Sequence, residues 1–348
     1  MKISELFEKE QSNYFKKTYI IAEVAQMHDG SLGQAHAFID ALANVGIDAV
    51  KFQTHIAQEE SSPNEPFRVE FSYEDSSRFD YWKRMEFSES QWAGLKKHAD
   101  EANLDFLSSP FSKKAVEILE RIGVPAWKIG SGEIFDPVII QEIIKTNKPI
   151  IFSNGMSTNE EIESQIKFFE SSNVDFCLLE CTTQYPTKAN EIALGQLDRY
   201  KNEYGIKFGL SDHSGEIYPS LAAVTLGAVI IEVHVTFSPF MFGPDTSSSL
   251  TIERLQELVR GIRFVDEMIN SKADKDEMAN IFKDTKKIFT KSLYAARDIS
   301  PSKKIQFEDL TSRKPNNGIA SSNYHLVVGK KTIRPIKQGE LLNWKDLK

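Results

Sequence analysis

Ile206-Lys-Phe-Gly-Leu-Ser-Asp-His-Ser214 and its counterpart Ile230-Ile-Glu-Val-His-Val-Thr236 decide how this chain is read. Each is an apolar run of strand length that ends in a histidine with polar company, and a helix-like stretch, Ile217 to Leu226, separates them. Parallel strands cannot be joined by a tight turn, so strand, crossover helix and strand predict a parallel pair. His213 and His234 then stand side by side at the carboxyl edge of the sheet, where β/α proteins place their chemistry. A single histidine there would satisfy its own local hydrogen bonds. Two at equivalent ends of neighbouring strands predict a pair of ligands for one divalent metal.

The same alternation extends outward from this pair. Strands are expected at Tyr19 to Ala25, Ala49 to Gln53, Leu104 to Ser108, Ala126 to Gly130, Pro149 to Ser153 and Asp175 to Cys181. Helical apolar spacing marks Leu32 to Val45, Glu89 to Ala102, Ser112 to Ile122, Pro137 to Lys145, Asn159 to Glu170, Ile192 to Tyr204 and Thr251 to Ile269. Eight strands, each followed by a helix, within about 250 residues predict a (β/α)8 TIM barrel over residues 1–270. A doubly wound open sheet is the alternative, but it would want a glycine-rich phosphate turn after the first strand, and none is present.

One insertion, His55 to Phe87, breaks the rhythm with Pro63, Pro66 and the aromatics Phe67, Phe71, Tyr73, Phe79, Tyr81 and Trp82. A loop this long is expected to be a lid or wall of the site, or else a mobile or oligomer-contact segment. Residues 271–291 are highly charged and read as a solvated linker or helix. Residues 292–348 hold brief β-like runs, Ser292 to Ile299, Ile305, Leu326 to Gly329 and Thr332 to Ile336, split by prolines and glycines. So small a β-rich module has a marginal core and is expected to dock against something.

Composition excludes several classes. The 348 residues carry a formal net charge of -8 at pH 7, with no basic stripe for nucleic acid. Cys177 and Cys181 are the two cysteines, which implies no disulfide framework and suits a reducing cytoplasm. The charged start Met1-Lys-Ile-Ser-Glu-Leu-Phe-Glu-Lys-Glu10 lacks a signal-peptide core, and no apolar run is long enough to span a membrane.

Most strands hand polar residues to the edge that holds the histidines: Glu23, Lys51 and Gln53, Ser109, Lys128 with Ser131 and Glu133, Ser153, then Thr183 and Tyr185. Side chains two apart on a strand share a face, so Lys51 points with Gln53 and Glu232 with His234. A buried lysine is costly unless it meets an anion. Lys51 and Lys128 at one mouth therefore predict a phosphate or carboxylate ligand. The plainer reading of either lysine is an exposed ammonium, or an ion pair with Glu23 or Glu133. Gly130-Ser-Gly-Glu133 places two glycines where backbone amides can approach an oxyanion.

Taken together, Ile20-Ile-Ala-Glu23, Val50-Lys-Phe-Gln53, Leu107-Ser-Ser-Pro-Phe111, Trp127-Lys-Ile-Gly-Ser-Gly-Glu133, Ile150-Ile-Phe-Ser-Asn-Gly-Met156, Cys181-Thr-Thr-Gln-Tyr-Pro186, Gly209-Leu-Ser-Asp-His213 and Gly243-Pro-Asp245 resemble the sialic acid synthases, including the bacterial legionaminic and pseudaminic acid synthases. The likeness covers nearly the whole chain. It implies a barrel followed by an antifreeze-like (SAF) domain, paired as a domain-swapped homodimer. It also implies condensation of phosphoenolpyruvate with an N-acylated amino sugar, N-acetylmannosamine or a related 2,4-diamino sugar, to a nine-carbon 2-keto acid and phosphate. By the same resemblance Lys51, Ser109, Lys128, Ser131, Ser153, Thr183 and Ser211 hold phosphoenolpyruvate, and His213 and His234 hold Mn2+ or Mg2+. Gln53, Glu133, Tyr185 and Asp245 face the sugar, Glu23 sits near the reacting atoms, and either Glu133 or Glu23 shuttles protons.

The chain departs from the commoner pattern at four places. Ala25-Gln-Met-His28 replaces Gly-x-Asn-His, Glu180 replaces the histidine of His-Cys-Thr, and Thr183 stands where an asparagine is frequent. In Arg313-Lys-Pro-Asn-Asn-Gly318 the arginine that the family donates across the dimer falls on Lys314, with Arg313 beside it. Lysine cannot repeat a forked guanidinium contact, so the accepted sugar is the property most affected. Other readings of the scaffold are a metal-dependent aldolase, another phosphoenolpyruvate-using sugar synthase, and a non-catalytic carbohydrate-binding relative.

Overall fold

The computed structural model describes residues 1–8, 17–67 and 69–348. Two compact units divide the chain, Met1–Asn270 and Ser271–Lys348. The first begins with α1 (Ile3–Phe7), β1 (Tyr19–Ala25), α2 (Leu32–Ala43), β2 (Ala49–Thr54), α3 (Ala57–Glu60), α4 (Arg78–Met85), α5 (Glu89–Glu101), β3 (Asp105–Pro110), α6 (Lys113–Ile122) and β4 (Trp127–Ile129). It continues with α7 (Pro137–Ile144), β5 (Ile150–Ser153), α8 (Asn159–Ser171), β6 (Phe176–Cys181), α9 (Gln196–Arg199), β7 (Lys207–Asp212), α10 (Tyr218–Leu226), β8 (Ile230–Thr236), β9 (Leu250–Thr251) and α11 (Ile252–Asn270).

Among the described residues β1 to β8 form one parallel sheet in the order β3-β2-β1-β8-β7-β6-β5-β4. The end strands β3 and β4 lie beside each other, so the sheet is a nearly closed barrel and not the doubly wound alternative. Short polar residues set the strand-to-helix turns. Ser31, Ser88, Ser112, Asp136 and Thr158 accept backbone N–H groups as N-caps of α2, α5, α6, α7 and α8.

The two-residue period sorts each strand between two apolar regions. Outward residues such as Ile20, Val50, Phe106, Trp127, Phe152, Leu178 and Ile231 pack under the helices. Inward residues at the amino ends, Tyr19, Ile21, Ala49, Leu107, Ala126, Ile151, Cys177, Leu179 and Ile230, form a separate inner core, joined by Ile3, Leu6 and Phe7 of α1. Gly209 is part of this lining because a Cβ there would lie 2.2 Å from the Ile230 carbonyl oxygen. The lower half of the cylinder is thereby filled with carbon, and only the carboxyl-end layers are left for polar groups.

Two expected elements differ. Of the helix expected over Ile192 to Tyr204, the α-helix covers only Gln196–Arg199, and Tyr200–Tyr204 forms one wide π turn. There Tyr200 is drawn inward, its hydroxyl donating to the buried Glu180 carboxylate and lying 2.6 Å from Asn154. In the second unit α12 (Lys275–Ile281) and α13 (Lys283–Phe289) precede β10 (Ser292–Ala295), antiparallel to β11 (Leu310–Arg313), and then α14 (Tyr324–Val327). The run Leu326 to Gly329 was expected to be β-like. It ends a helical turn instead, because only Val327 joins the small core while Leu326 and Val328 stay exposed.

Candidate active site

In register, Lys51, Glu23 and His234 stand in one row across β2, β1 and β8, and Ser211 of β7 faces Glu232 of β8. Glu23, Lys51, Lys128 and Glu232 are 0%, 3%, 2% and 3% exposed, so their charges are balanced by one another and not by water. The Lys51 ammonium lies 2.7 Å from Glu23 and 3.5 Å from Glu232, and Lys128 lies 3.6 Å from Glu232. Lys51 also donates to Ser109 at 3.4 Å and Lys128 to Ser153 at 2.8 Å, while Ser211 donates to Glu232 at 3.1 Å. The plainer reading of Lys51, an ion pair with Glu23, is what the structure shows, and the same ammonium lines the shared mouth.

These groups pull each other's protonation in opposite directions. Burial pushes Glu23 up to about 7 despite the opposing ammonium of Lys51, with Glu232 adding to the rise. Burial also opposes the charge on Glu232, but Lys128 and Lys51 outweigh it and hold that carboxyl low. For Lys51 the two carboxylates overcome desolvation and raise its pKa, whereas for Lys128 burial outweighs Glu232 and, with the neighbouring Lys51 ammonium, lowers it. Of the two carboxylates, Glu232 is the one the lysines hold ionised and Glu23 the one burial favours protonated.

A cavity of about 510 Å³ opens above it. Lys51, Gln53, Ser109, Lys128, Ser131, Glu133, Ser153, Thr183, Tyr185, Ser211, His213, His234 and Asp245 all line this one space. Glu23 does not reach the wall; it lies behind Lys51 and accepts 2.8 Å from the Gln53 amide. Lys314 belongs to the second unit, where its ammonium sits 4.9 Å from the Phe289 ring. Thr183 Oγ1 is buried with no hydrogen-bond partner among the described residues, an acceptor and donor left for a ligand. Gly155 makes room for it, since a Cβ there would lie 2.2 Å from Thr183 Oγ1 and 3.0 Å from Ser131 Oγ. On the turn after β4, burial lifts Glu133 to about 7 against the pull of Lys128.

The imidazoles of His213 and His234 have ring centroids 5.2 Å apart. His213 Nδ1 is 2.9 Å from the Thr182 carbonyl, which can only accept, so that nitrogen carries the hydrogen and Nε2 keeps its lone pair. Tyr185 stacks on His213 at 4.1 Å and brings its hydroxyl to 3.2 Å from Nε2. Burial lowers the His213 pKa to about 4, so the ring is neutral, as a metal ligand must be. Asp245 approaches His234 Nδ1 at 3.9 Å. This donor set fits a divalent cation held by two imidazoles; no group of three histidine, cysteine or acidic ligands converges among the described residues.

Sequence reasoning did not assign Glu232, although its place two residues before His234 already put it on the same face. It also did not assign Gln26, His55, Glu60 or Phe111, which line the cavity with Glu65, Phe67, Phe71, Arg78, Tyr81 and Trp82 of the insertion. The insertion is therefore a wall of the site. Trp82 stands among the aromatics of that loop, but nothing local marks Glu60, because its role arises from where the loop folds back.

A profile of the NeuB family matches residues 38–274 and one of the SAF domain matches residues 290–348. The chain is similar to N,N'-diacetyllegionaminic acid synthase of Campylobacter jejuni, 35% identical over 94% of this chain and 99% of that protein. Pseudaminic acid synthase of the same species is 32% identical over 96% and 98% of the two chains. Among solved structures, an N-acetylneuraminic acid synthetase from Leptospira borgpetersenii superposes with a TM-score of 0.68 at 27% identity, covering 77% of this chain and 92% of that one. With a family match over most of the barrel and relatives that span almost the full length, the chain belongs to the NeuB family.

Proposed function

We propose that this protein condenses phosphoenolpyruvate with the open-chain aldehyde of an N-acylated amino sugar, yielding a nine-carbon 2-keto sugar acid of the sialic-acid type and free phosphate. The observation that carries this reading is the pair of buried ammoniums, Lys51 and Lys128, set among serine hydroxyls in the same cavity as two neighbouring imidazoles. The lysines offset the phosphate and carboxylate of phosphoenolpyruvate, and Ser109, Ser131, Ser153, Thr183 and Ser211 supply hydrogen bonds to their oxygens. Carbon 3 of phosphoenolpyruvate bonds to the aldehyde carbon, and Glu133, protonated near neutral pH, hands its proton to the aldehyde oxygen. Water then adds to the electron-poor carbon 2 and returns one proton to Glu133; as the carbon 2 to phosphate oxygen bond breaks, the remaining hydroxyl proton passes to the departing phosphate and the keto acid is left. Held by His213 and His234, Mn2+ or Mg2+ would polarise the aldehyde carbonyl.

Gln53, Tyr185 and Asp245 face the sugar in this reading, and Lys314 takes the place of the arginine that the family donates across the dimer. The apolar part of the wall, Phe67, Val69, Phe71, Trp82 and Met156, favours a diamino sugar whose second acyl group brings a further methyl to it. Phosphate release from phosphoenolpyruvate is the test, run with N-acetylmannosamine and 2,4-diacylamino sugars in Mn2+. Turnover with the diacylamino sugars is expected, and no release with any sugar refutes the reading. Lys314→Ala is expected to raise the KM for the sugar and leave that for phosphoenolpyruvate unchanged. Assembly as a homodimer belongs to the same reading and is checked by sedimentation velocity. No helix among the described residues is long and apolar enough to cross a membrane.

A further inference from the structure

Gln53 is gripped from two sides. Its Nε2 donates to Glu23 at 2.8 Å, so its carbonyl oxygen points the other way and accepts from Gln26 Nε2, with the His55 ring alongside. His55 is itself fixed. Its Nδ1 lies 2.6 Å from one Glu60 oxygen, and the other Glu60 oxygen accepts from the Ile56 amide at 3.2 Å. A carboxylate with both oxygens accepting places the hydrogen on Nδ1, which leaves Nε2 as the acceptor for Gln26 Nε2 at 2.9 Å. The Gln26 amide then spends one hydrogen on His55 and the other on the Gln53 oxygen. Every donor in the chain from Glu60 to Glu23 has an acceptor in one arrangement. Turning the Gln53 amide over would set oxygen against oxygen at Glu23.

The ring is also clamped. His55 stacks between Trp82 at 4.0 Å and Phe111 at 4.3 Å, nearly parallel to both. Trp82 and Glu60 both come from the insertion after β2, so this loop supplies one face of the slot and its carboxylate, and Phe111, just after β3, supplies the other face.

We infer that His55, oriented by Glu60, is a positioning residue that acts through the Gln26 amide to lock the Gln53 amide, with its carbonyl covered and its NH2 turned to Glu23 and the cavity. The sugar then meets a hydrogen-bond donor at this position, which selects an acceptor such as a hydroxyl or acyl oxygen. This rests on the synthase reading above, in which Gln53 faces the sugar. A flexible or flipped amide would present the wrong group part of the time and weaken sugar binding without touching the anion site.

His55→Ala is expected to raise the KM for the sugar on the order of tenfold and to lower kcat, with the KM for phosphoenolpyruvate and the Tm held. Glu60→Ala should follow it, Glu60→Gln, which can still accept from Nδ1, should lose less, and added imidazole should restore part of the His55→Ala activity by entering the Trp82–Phe111 slot. An unchanged sugar KM overturns the inference, as does an equal loss for both substrates with a lowered Tm, which marks a merely structural role. A crystal structure of His55→Ala decides it even if the wild type proves inactive with every sugar. Gln53 displaced or flipped from Glu23 supports the inference, and Gln53 unmoved on Glu23 overturns it, whatever becomes of the synthase reading.

Discussion

At the scale of single residues, burial sets the protonation states and space sets the contacts. Glu133 is lifted to about 7 chiefly by desolvation, above an ordinary value of 4.5. An acid must be protonated to act, so kcat/KM should fall as pH rises through about 7, and Glu133→Gln should lose both the activity and that limb of the profile. The sign for stability follows from the same shift. The folded state holds this proton to higher pH than the unfolded chain, so stability declines between pH 4.5 and about 7, and thermal melts of Glu133→Gln should show a flatter slope there. Gly155 makes the second case. Its missing Cβ leaves Thr183 Oγ1 where it is, so Gly155→Ala should displace the hydroxyl that, in the proposed reading, meets a charged oxygen of phosphoenolpyruvate. Losing one hydrogen bond to a charged group costs about 1.5–3 kcal/mol, or roughly ten- to a hundredfold in the KM for phosphoenolpyruvate, measured by initial rates.

At the scale of elements, each strand divides its labour along its length. Tyr19 and Ile21 of β1 pack in the lower cylinder and Glu23 enters the charged layer above them; Ala49, Lys51 and Gln53 repeat the order on β2. The short helix α1 belongs to this scheme because Ile3, Leu6 and Phe7 join the inner core from below, with the Ile3 amide donating 2.7 Å to Asp105. Phe7→Ala is expected to remove about 3 kcal/mol of stability by leaving a cavity, read as a lowered denaturant midpoint, while kcat stays at the wild-type value. The site lies at the far end of the barrel from this plug. The insertion after β2 works in the opposite sense: it adds little to the core and gives the cavity its aromatic wall.

At the scale of the whole molecule, the barrel brings donors from many strands into one cavity, and the proposed reading gives the paired imidazoles the cation. Chelation with EDTA is expected to abolish phosphate release, with Mn2+ restoring it. His234→Ala should stay inactive at saturating Mn2+ while unfolding at the wild-type temperature, as checked by calorimetry. Residual activity of His234→Ala near the wild-type level would remove that ring from the mechanism.

The barrel was legible from residue order because its strands are short apolar runs and its helices have a 3.6 period; both signals are local. The pairing of His213 with His234 was legible for the same reason, since they end adjacent strands of a parallel pair. The run Leu326 to Gly329 misled because β-branched residues favour strands until tertiary burial selects one side chain, here Val327. What only the tertiary structure decided is which groups share charge and hydrogen: that Glu23 hides behind Lys51, that Glu232 bridges both lysines, and that Glu60 reaches back to His55. Periodicity tells which face a side chain takes, but Coulomb energies and hydrogen bonds depend on distances across strands and loops, and those exist only once the cylinder has closed.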